Sequence, residues 1–264
     1  MRRRNASSIR CSALTDDLAN DGEFAARLAH HAGVILKAVR ASRLIEGKAL
    51  GKAGDATANQ FLCHAIRQHR PDDGLLSEES TDTRDRLAKS RVWIIDPVDG
   101  TREYGEERSD WAVHVGLSID GEAALGAVAL PDLDTVLRSD RPAALPEPAS
   151  RPRLVVSRTR PAAEAVAVAE RIGGDLVPMG SAGAKAMAVV RGEAEIYLHS
   201  GGQYQWDNCA PVAVASACGL HVSRIDGSPI RYNEADTSLP DLLICRPEWA
   251  ERVLELVAAI NRSG

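Results

Sequence analysis

The chain has no cysteine pairs spaced to hold a metal or to frame a fold with disulfides. Its five cysteines, Cys11, Cys63, Cys209, Cys218 and Cys245, are odd in number and form no CxxC, which points to reduced thiols in a reducing compartment. No apolar run approaches the roughly 20 residues of a membrane span. The first ten residues, MRRRNASSIR, are basic but lack the apolar core of a signal peptide, and residues 1–14 read as a disordered extension. Positive charge is not in excess either. With 32 Lys and Arg against 37 Asp and Glu, the net charge of -5 argues against a nucleic-acid surface. There is no internal repeat. These absences leave a soluble, cytoplasmic chain of 264 residues, long enough to bury a large core as one large or two small domains.

The segment VWIIDPVDGTREY, residues 92–104, carries the most chemistry. Val92 to Ile95 reads as a short interior strand that Pro97 stops, so that Asp96, the Val98 carbonyl and Asp99 turn toward one point. Three hard oxygen donors within four residues suit Mg²⁺. If Thr101 opens a helix, the backbone N–H groups of Gly100 to Arg102 make a phosphate seat beside that ion. The alternative is a plain surface turn, since Asp, Pro and Gly are ordinary turn residues.

Two further segments add carboxylates. LLSEES, 75–80, ends a short apolar stretch in Glu78 and Glu79, and QWDNCAP, 205–211, places Asp207 between Trp206 and VAVASACG, which reads as a buried helix. An acid there could simply cap that helix. Taken with Glu78, Asp96 and Asp99, the metal reading prevails.

In this order SEES, WIIDPVDGT and WD before a small-residue helix resemble the inositol monophosphatase superfamily of Mg²⁺-dependent phosphatases over most of the chain. DGTREY, SRTR at 157–160, GSAGAKAM at 180–187, GGQYQWD at 201–207 and DGSPIRYN at 226–233 narrow the resemblance to the bacterial 3′(2′),5′-bisphosphate nucleotidases of sulfate assimilation, in their actinobacterial form. Three departures stand out. The superfamily's TxAD segment, whose Asp serves a third and weaker metal position, reads GDATANQ here, with Asn59 where the acid belongs and Asp55 expected to take over part of its role. The Glu that contacts the sugar ring in inositol phosphatases is replaced by His199, Ser200, Gly201 and Gly202, which argues against a neutral polyol and leaves room for a second anionic group. WDNCAP replaces WDxAAG and keeps the acid.

The resemblance implies an α/β fold, the layered αβαβα sandwich of the inositol monophosphatase and fructose-1,6-bisphosphatase type. The division we expect is an N-terminal α+β half, 15–141, carrying most metal ligands, a Pro-rich connection at 142–152, and a C-terminal α/β half, 153–264, carrying Asp207 and substrate contacts. Asp16 or Asp17 could cap a first helix bearing Leu18, Phe24, Leu28, Ile35, Leu36 and Val39. The pattern then predicts a helix over Thr57–His69 and an antiparallel hairpin of Trp111–Ile119 and Ala123–Leu130 through Asp120-Gly121. After the connection it predicts strands at 154–157, 176–178 and 194–198, and helices at 161–171, 182–190 and 247–260.

For the chemistry, Glu78, Asp96 and the Val98 carbonyl would hold one Mg²⁺, and Asp96, Asp99 and Asp207 a second, with Asp96 shared. A third ion and Li⁺ competition are family properties that Asn59 leaves open. Thr101 and Glu78 orient the attacking water, and Asp55 joins them as a catalytic candidate. Gly100, Thr101, Arg102, Ser157, Arg158, Ser181 and Lys185 are the substrate contacts, Lys185 or Arg158 pairing with a second phosphate, and Tyr232 is a candidate for stacking on a base. Cys209 reads as a packed thiol. The leading function is hydrolysis of the 3′-phosphate of 3′-phosphoadenosine 5′-phosphate. The runner-up is a phosphatase for inositol phosphate or fructose 1,6-bisphosphate, and the last alternative is a non-catalytic metal- or nucleotide-binding regulator. The partner is a small phosphate ester, with no nucleic acid or membrane, and a homodimer is a family expectation.

Overall fold

The computed structural model describes residues 20–263. The basic extension, Cys11, Leu18 and the caps expected at Asp16 or Asp17 lie outside the described residues. Helix α1, Asp21–Ala41, is instead capped by Asn20, whose side chain accepts the N–H groups of Gly22 (2.9 Å) and Glu23 (3.1 Å). It buries Phe24, Leu28 and Leu36, while Ile35 and Val39 are only partly buried.

Helix α2 spans Gly47–His69, ten residues longer at its start than the sequence pattern predicts. GKALGKAG reads as helix-poor because each glycine costs about 1 kcal/mol against alanine. Here the glycines are needed for close approach. A Cβ on Gly51 would lie 2.7 Å from Thr101 Cγ2, and one on Gly54 would lie 2.6 Å from Tyr104 Cε1. Both contacts are to α3, the single turn Thr101–Gly105. Packing α2 directly on α3 is what sets Asp55 beside Thr101.

The first sheet holds β1 (Gly74–Ser77), β2 (Arg91–Asp99), β3 (Ala112–Ile119), β4 (Glu122–Leu130) and β5 (Thr135–Arg138) in sequential order, with β1 parallel to β2 and the rest antiparallel. The hairpin forms as expected, with Asp120 and Gly121 both at positive φ. Pro97, however, does not end its strand. Pairing passes from Asp96↔His114 to Asp99↔Ala112, three steps along β2 against two along β3. This is a bulge, the place in a sheet where a residue without an N–H is tolerated. The extra residue reverses the alternation, so Asp99 joins Asp96 on one face.

Residues 141–152 carry neither helix nor strand. The second sheet then runs in the order β7 (Asp175–Met179), β6 (Arg153–Ser157), β8 (Ile196–Tyr204), β10 (Ser238–Cys245), β9 (His221–Ser223). Its helices are α4 (Ala163–Ile172), α5 (Ala182–Val190), α6 (Gln205–Ala217) and α7 (Pro247–Ser263). Strands β9 and β10 and the extension of β8 to Tyr204 are additions to the sequence reading.

These elements stack as five layers: α1 and α2, the first sheet, α5 and α6, the second sheet, then α4 and α7. Strand residues alternate between cores. Trp93 and Ile95 face α1 and α2, whereas Val92 and Ile94 face the central helices. Burial on both faces is why β2 is apolar without alternation. The arrangement is the αβαβα sandwich that the resemblance implies, and its central layer carries Asp207 toward the end of β2.

Candidate active site

Asp96 and Asp99 come from the bulged end of β2, and Asp207 is the third residue of α6. Each offers a carboxylate oxygen, and the three oxygens lie within 4.8 Å of one another. Asp207 also accepts the Tyr204 N–H at 2.6 Å, so it caps its helix and faces the cluster at once. The charges are poorly compensated. Burial, then repulsion from Glu78, Asp99 and Asp207, pushes the Asp96 carboxyl well above the usual range. Burial and Asp99 raise Asp207 to about 6. A cation placed among crowded carboxylates that are forced toward protonation would relieve their repulsion. The donors are all hard oxygens, which fits Mg²⁺.

Glu78, just past β1, is a solvent-exposed residue whose carboxyl turns in to hydrogen-bond Asp96. Desolvation and then Asp207 raise it to about 7. Asp55 is likewise raised to about 7, by burial and by Glu79. Thr101 Oγ1 sits 3.2 Å from both Asp55 Oδ1 and the Val98 carbonyl oxygen. Asn59 serves elsewhere. Its amide donates to Ser80 Oγ (3.1 Å) and accepts from Ser77 Oγ (2.7 Å), which pins the loop bearing Glu78. Asp55, one helical turn earlier, is the acid that α2 brings to the site.

Asp99 is the exception among these acids. Burial would raise it, but His114, the Ser181 hydroxyl and the Gly183 N–H hold it at about 2. It accepts from Ser181 Oγ and from the N–H groups of Ala182 (3.0 Å) and Gly183 (2.5 Å), which caps α5. His114, on β3, is the residue the sequence reading missed. Its Nδ1 lies 3.0 Å from the Trp206 carbonyl, which can only accept, so Nδ1 carries a proton and Nε2 faces Asp99 Oδ2 at 3.1 Å. That contact is an ion pair without hydrogen-bond alignment. Burial opposes charge on the ring, but Asp99 more than offsets it and raises its pKa. The signal was a lone histidine in the otherwise apolar WAVHVGLSI. Gly183 makes the approach possible, since a Cβ there would lie 1.9 Å from His114 Nε2.

Beside the acids is a cavity of about 460 Å³ whose walls include Gly100, Thr101, Arg102, Ser157, Arg158, Ser181 and Lys185. The structure therefore brings every expected substrate contact to one space, although two of the cations are already engaged. Arg158 bonds Glu103 and Glu106, each at 2.7 Å. Lys185 is buried, donates to the carbonyls of Gly180 and Ser181, and lies over the Tyr197 ring. Arg160 and His199 also line the cavity, and the sequence reading assigned them no contact. Tyr232 requires correction. It is buried and its hydroxyl donates to Asn208 Oδ1 at 2.9 Å, so it cannot stack on a ligand. Cys209 is a packed thiol against Gly116, its pKa pushed up by burial.

The inositol monophosphatase family model matches residues 17–262. The chain belongs to that family. It is 44% identical over 255 residues to the 3′-phosphoadenosine 5′-phosphate phosphatase of Mycobacterium leprae, covering 91% of this chain and 94% of the relative. The protein of the same name in Mycobacterium tuberculosis is 48% identical over 219 residues, covering 79% and 82%. Among solved structures, CysQ of Bacteroides thetaiotaomicron superposes with a TM-score of 0.74 at 20% identity, covering 84% of this chain and 96% of that one. Inositol monophosphatase-II of Staphylococcus aureus gives 0.73 at 20% identity, covering 90% and 97%.

Proposed function

We propose that this protein is a Mg²⁺-dependent phosphatase that removes the 3′-phosphate of 3′-phosphoadenosine 5′-phosphate, releasing AMP and inorganic phosphate. The observation that carries this reading is the three-carboxylate cluster opening on a cavity whose remaining walls hold Arg102, Arg160 and Lys185. The mycobacterial relatives bear that activity in their names. Asp96, Asp99, Asp207, Glu78 and the Val98 carbonyl are the residues to hold two ions. Bound Mg²⁺ supplies Lewis-acid stabilisation of charge on the phosphoryl and leaving oxygens. The chain supplies position. Thr101 donates its proton to Asp55 or to the Val98 carbonyl, which leaves its lone pairs to accept from a water and aim it. That water forms the new P–O bond, the P–O3′ bond breaks, and the 3′ oxygen departs with a proton. The N–H groups of Gly100 to Arg102 and the Arg102 side chain face the phosphoryl oxygens, and Lys185 is the cation for the second phosphate. Among the described residues the four cysteines are unpaired, which supports a reducing, cytoplasmic setting, and no helix is long and apolar enough to cross a membrane.

The runner-up substrate keeps a foothold. The acid that seemed missing near Ser200 is supplied from another element, because Glu164 of α4 accepts the Ser200 hydroxyl at 2.6 Å. The test is phosphate release from 3′-phosphoadenosine 5′-phosphate, inositol 1-phosphate and fructose 1,6-bisphosphate at fixed Mg²⁺, compared as kcat/KM. A preference of a hundredfold or more for the nucleotide, about 2.7 kcal/mol in transition-state binding, is expected. Comparable values, or preference for a sugar phosphate, would overturn the assignment.

A further inference from the structure

The cavity at the acid cluster does not end at Arg160. A second chamber of about 310 Å³ adjoins it, within the size range of about 300–1,000 Å³ common for small-ligand sites. Ser157, Arg160 and His199 line both spaces, so they form the passage between them. The far wall is the start of α4 with Glu164, facing Ser200 and Gly201 of β8.

The groups in this chamber discriminate between occupants. Glu164 spends one oxygen on the Ser200 hydroxyl at 2.6 Å. Its other oxygen has no hydrogen bond within the described residues. A carboxylate with a free acceptor repels a phosphate and attracts an N–H donor. His199 Nε2 is buried and has no partner. Burial first, then the nearby Lys185 and Arg160 charges, hold its pKa down at about 4. The ring is therefore neutral, and a neutral imidazole offers one donor and one acceptor, which suits an uncharged heterocycle. Among the described residues the Arg160 side chain makes no hydrogen bond, and it can lay its guanidinium plane on such a ring. The second phosphate belongs in the metal-side chamber with Lys185.

We infer that the outer chamber is a base pocket in which Glu164, oriented by Ser200, accepts a hydrogen bond from the exocyclic amino group of a 6-aminopurine, with His199 at the entrance. This deepens the nucleotide reading and rests on it. Glu164 is thus a specificity residue contributed by α4, far in sequence from every metal ligand.

The test compares kcat/KM for 3′-phosphoadenosine 5′-phosphate with that for its inosine counterpart, in which an oxygen replaces the amino group and meets the carboxylate without a proton between them. Wild type should favour adenine by about tenfold or more. Glu164→Gln should bring the ratio close to one, and Ser200→Ala, which frees the carboxylate, should lower it by less, mainly through KM. An unchanged ratio in Glu164→Gln overturns the inference, as does an equal loss on both nucleotides, which makes Glu164 structural. A Glu164→Gln enzyme that loses inositol 1-phosphate turnover while keeping its adenine ratio assigns Glu164 to a polyol and also overturns it. Should Glu164→Gln fail to fold, an unchanged ratio in Ser200→Ala overturns it by itself. The nucleotide reading fails separately, if wild type releases no phosphate from the adenine substrate.

Discussion

Asp96→Asn separates the fold of this protein from its proposed cation site. At the cluster spacing of up to 4.8 Å, two carboxylates repel by about 3.5 kcal/mol at an effective dielectric constant near 20. Asp96 faces Asp99, Asp207 and Glu78 together and is buried. Without a cation its carboxyl is therefore driven toward the protonated form. Asn imitates that protonated carboxyl and preserves the acceptor that takes the Val98 N–H at 3.0 Å. In chelator the variant should melt within about 1 kcal/mol of wild type. In Mg²⁺ the two should part. A ligand at a hundred times its Kd stabilises by about 2.7 kcal/mol, which for a chain of this size is a rise of about 5–10 °C in Tm. Wild type should show that rise and Asp96→Asn should show almost none, while turnover falls by at least about 10³-fold. Thermal melts with and without Mg²⁺, beside phosphate release, make the measurement. Near-wild-type turnover, or an undiminished Mg²⁺ shift, would refute the placing of Asp96 in the cation site. Loss of the fold in chelator would refute the claim that Asn can stand in for that carboxyl in the metal-free protein.

The remaining predictions use other parts of the same frame. Asp207, raised to about 6, and Glu78 and Asp55, raised to about 7, bind more protons folded than unfolded, so in chelator the protein should lose stability as pH rises from about 4 to 7. Mg²⁺ must displace those protons, so its apparent affinity should strengthen across pH 6 to 8, and a titration showing the reverse would count against the cluster as its site. Gly183→Ala drives a methyl into His114 Nε2, 1.9 Å from the ideal Cβ, and should cut kcat/KM at least tenfold by displacing the partner of Asp99, while an unaffected enzyme would show that His114 positions nothing. Glu195→Ala removes a buried acid that accepts the N–H groups of Ala149 and Arg153 and pairs with the Arg153 guanidinium at 2.8 Å. It should cost about 2–3 kcal/mol in chemical denaturation, below the 3–5 usual for a buried pair because Arg153 is 32% exposed, with kcat/KM unchanged.

What the sequence made legible were features written in short runs of residues. The apolar stretches of β2, β3 and β4 announce strands buried on both faces, Asp120-Gly121 specifies its own turn, and α5 occupies Ala182–Val190 as its pattern predicts. Features that depend on a partner strand or helix were not. Pro97 looks like a terminator until β3 is present to show the bulge. The glycines of α2 look like breakers until Thr101 and Tyr104 are packed on them. Strand β9 has three residues and is defined only by its ladder to β10. Among site residues, the acids in DPVDGT and before the small-residue helix could be read because their local chemistry is unusual. Glu164 could not, since one acid in the first turn of a helix has an ordinary electrostatic reason to be there.

The distribution of these residues over the layers follows from the cost of burying charge. One strand carrying all the acids would place several uncompensated carboxylates in a single core segment, and no local partner would offset their desolvation. Here three of the acids are built in with their own support: Asp99 by the start of α5 and His114, Asp207 by the Tyr204 N–H, Asp55 by Thr101. Asp96 alone has little besides the acids around it and the Val98 N–H. It is also the residue expected to be shared between ions. The least compensated of these buried acids is thus the one with most to gain from a cation, which is why the binding energy of Mg²⁺ should be concentrated where β2 meets the central helices.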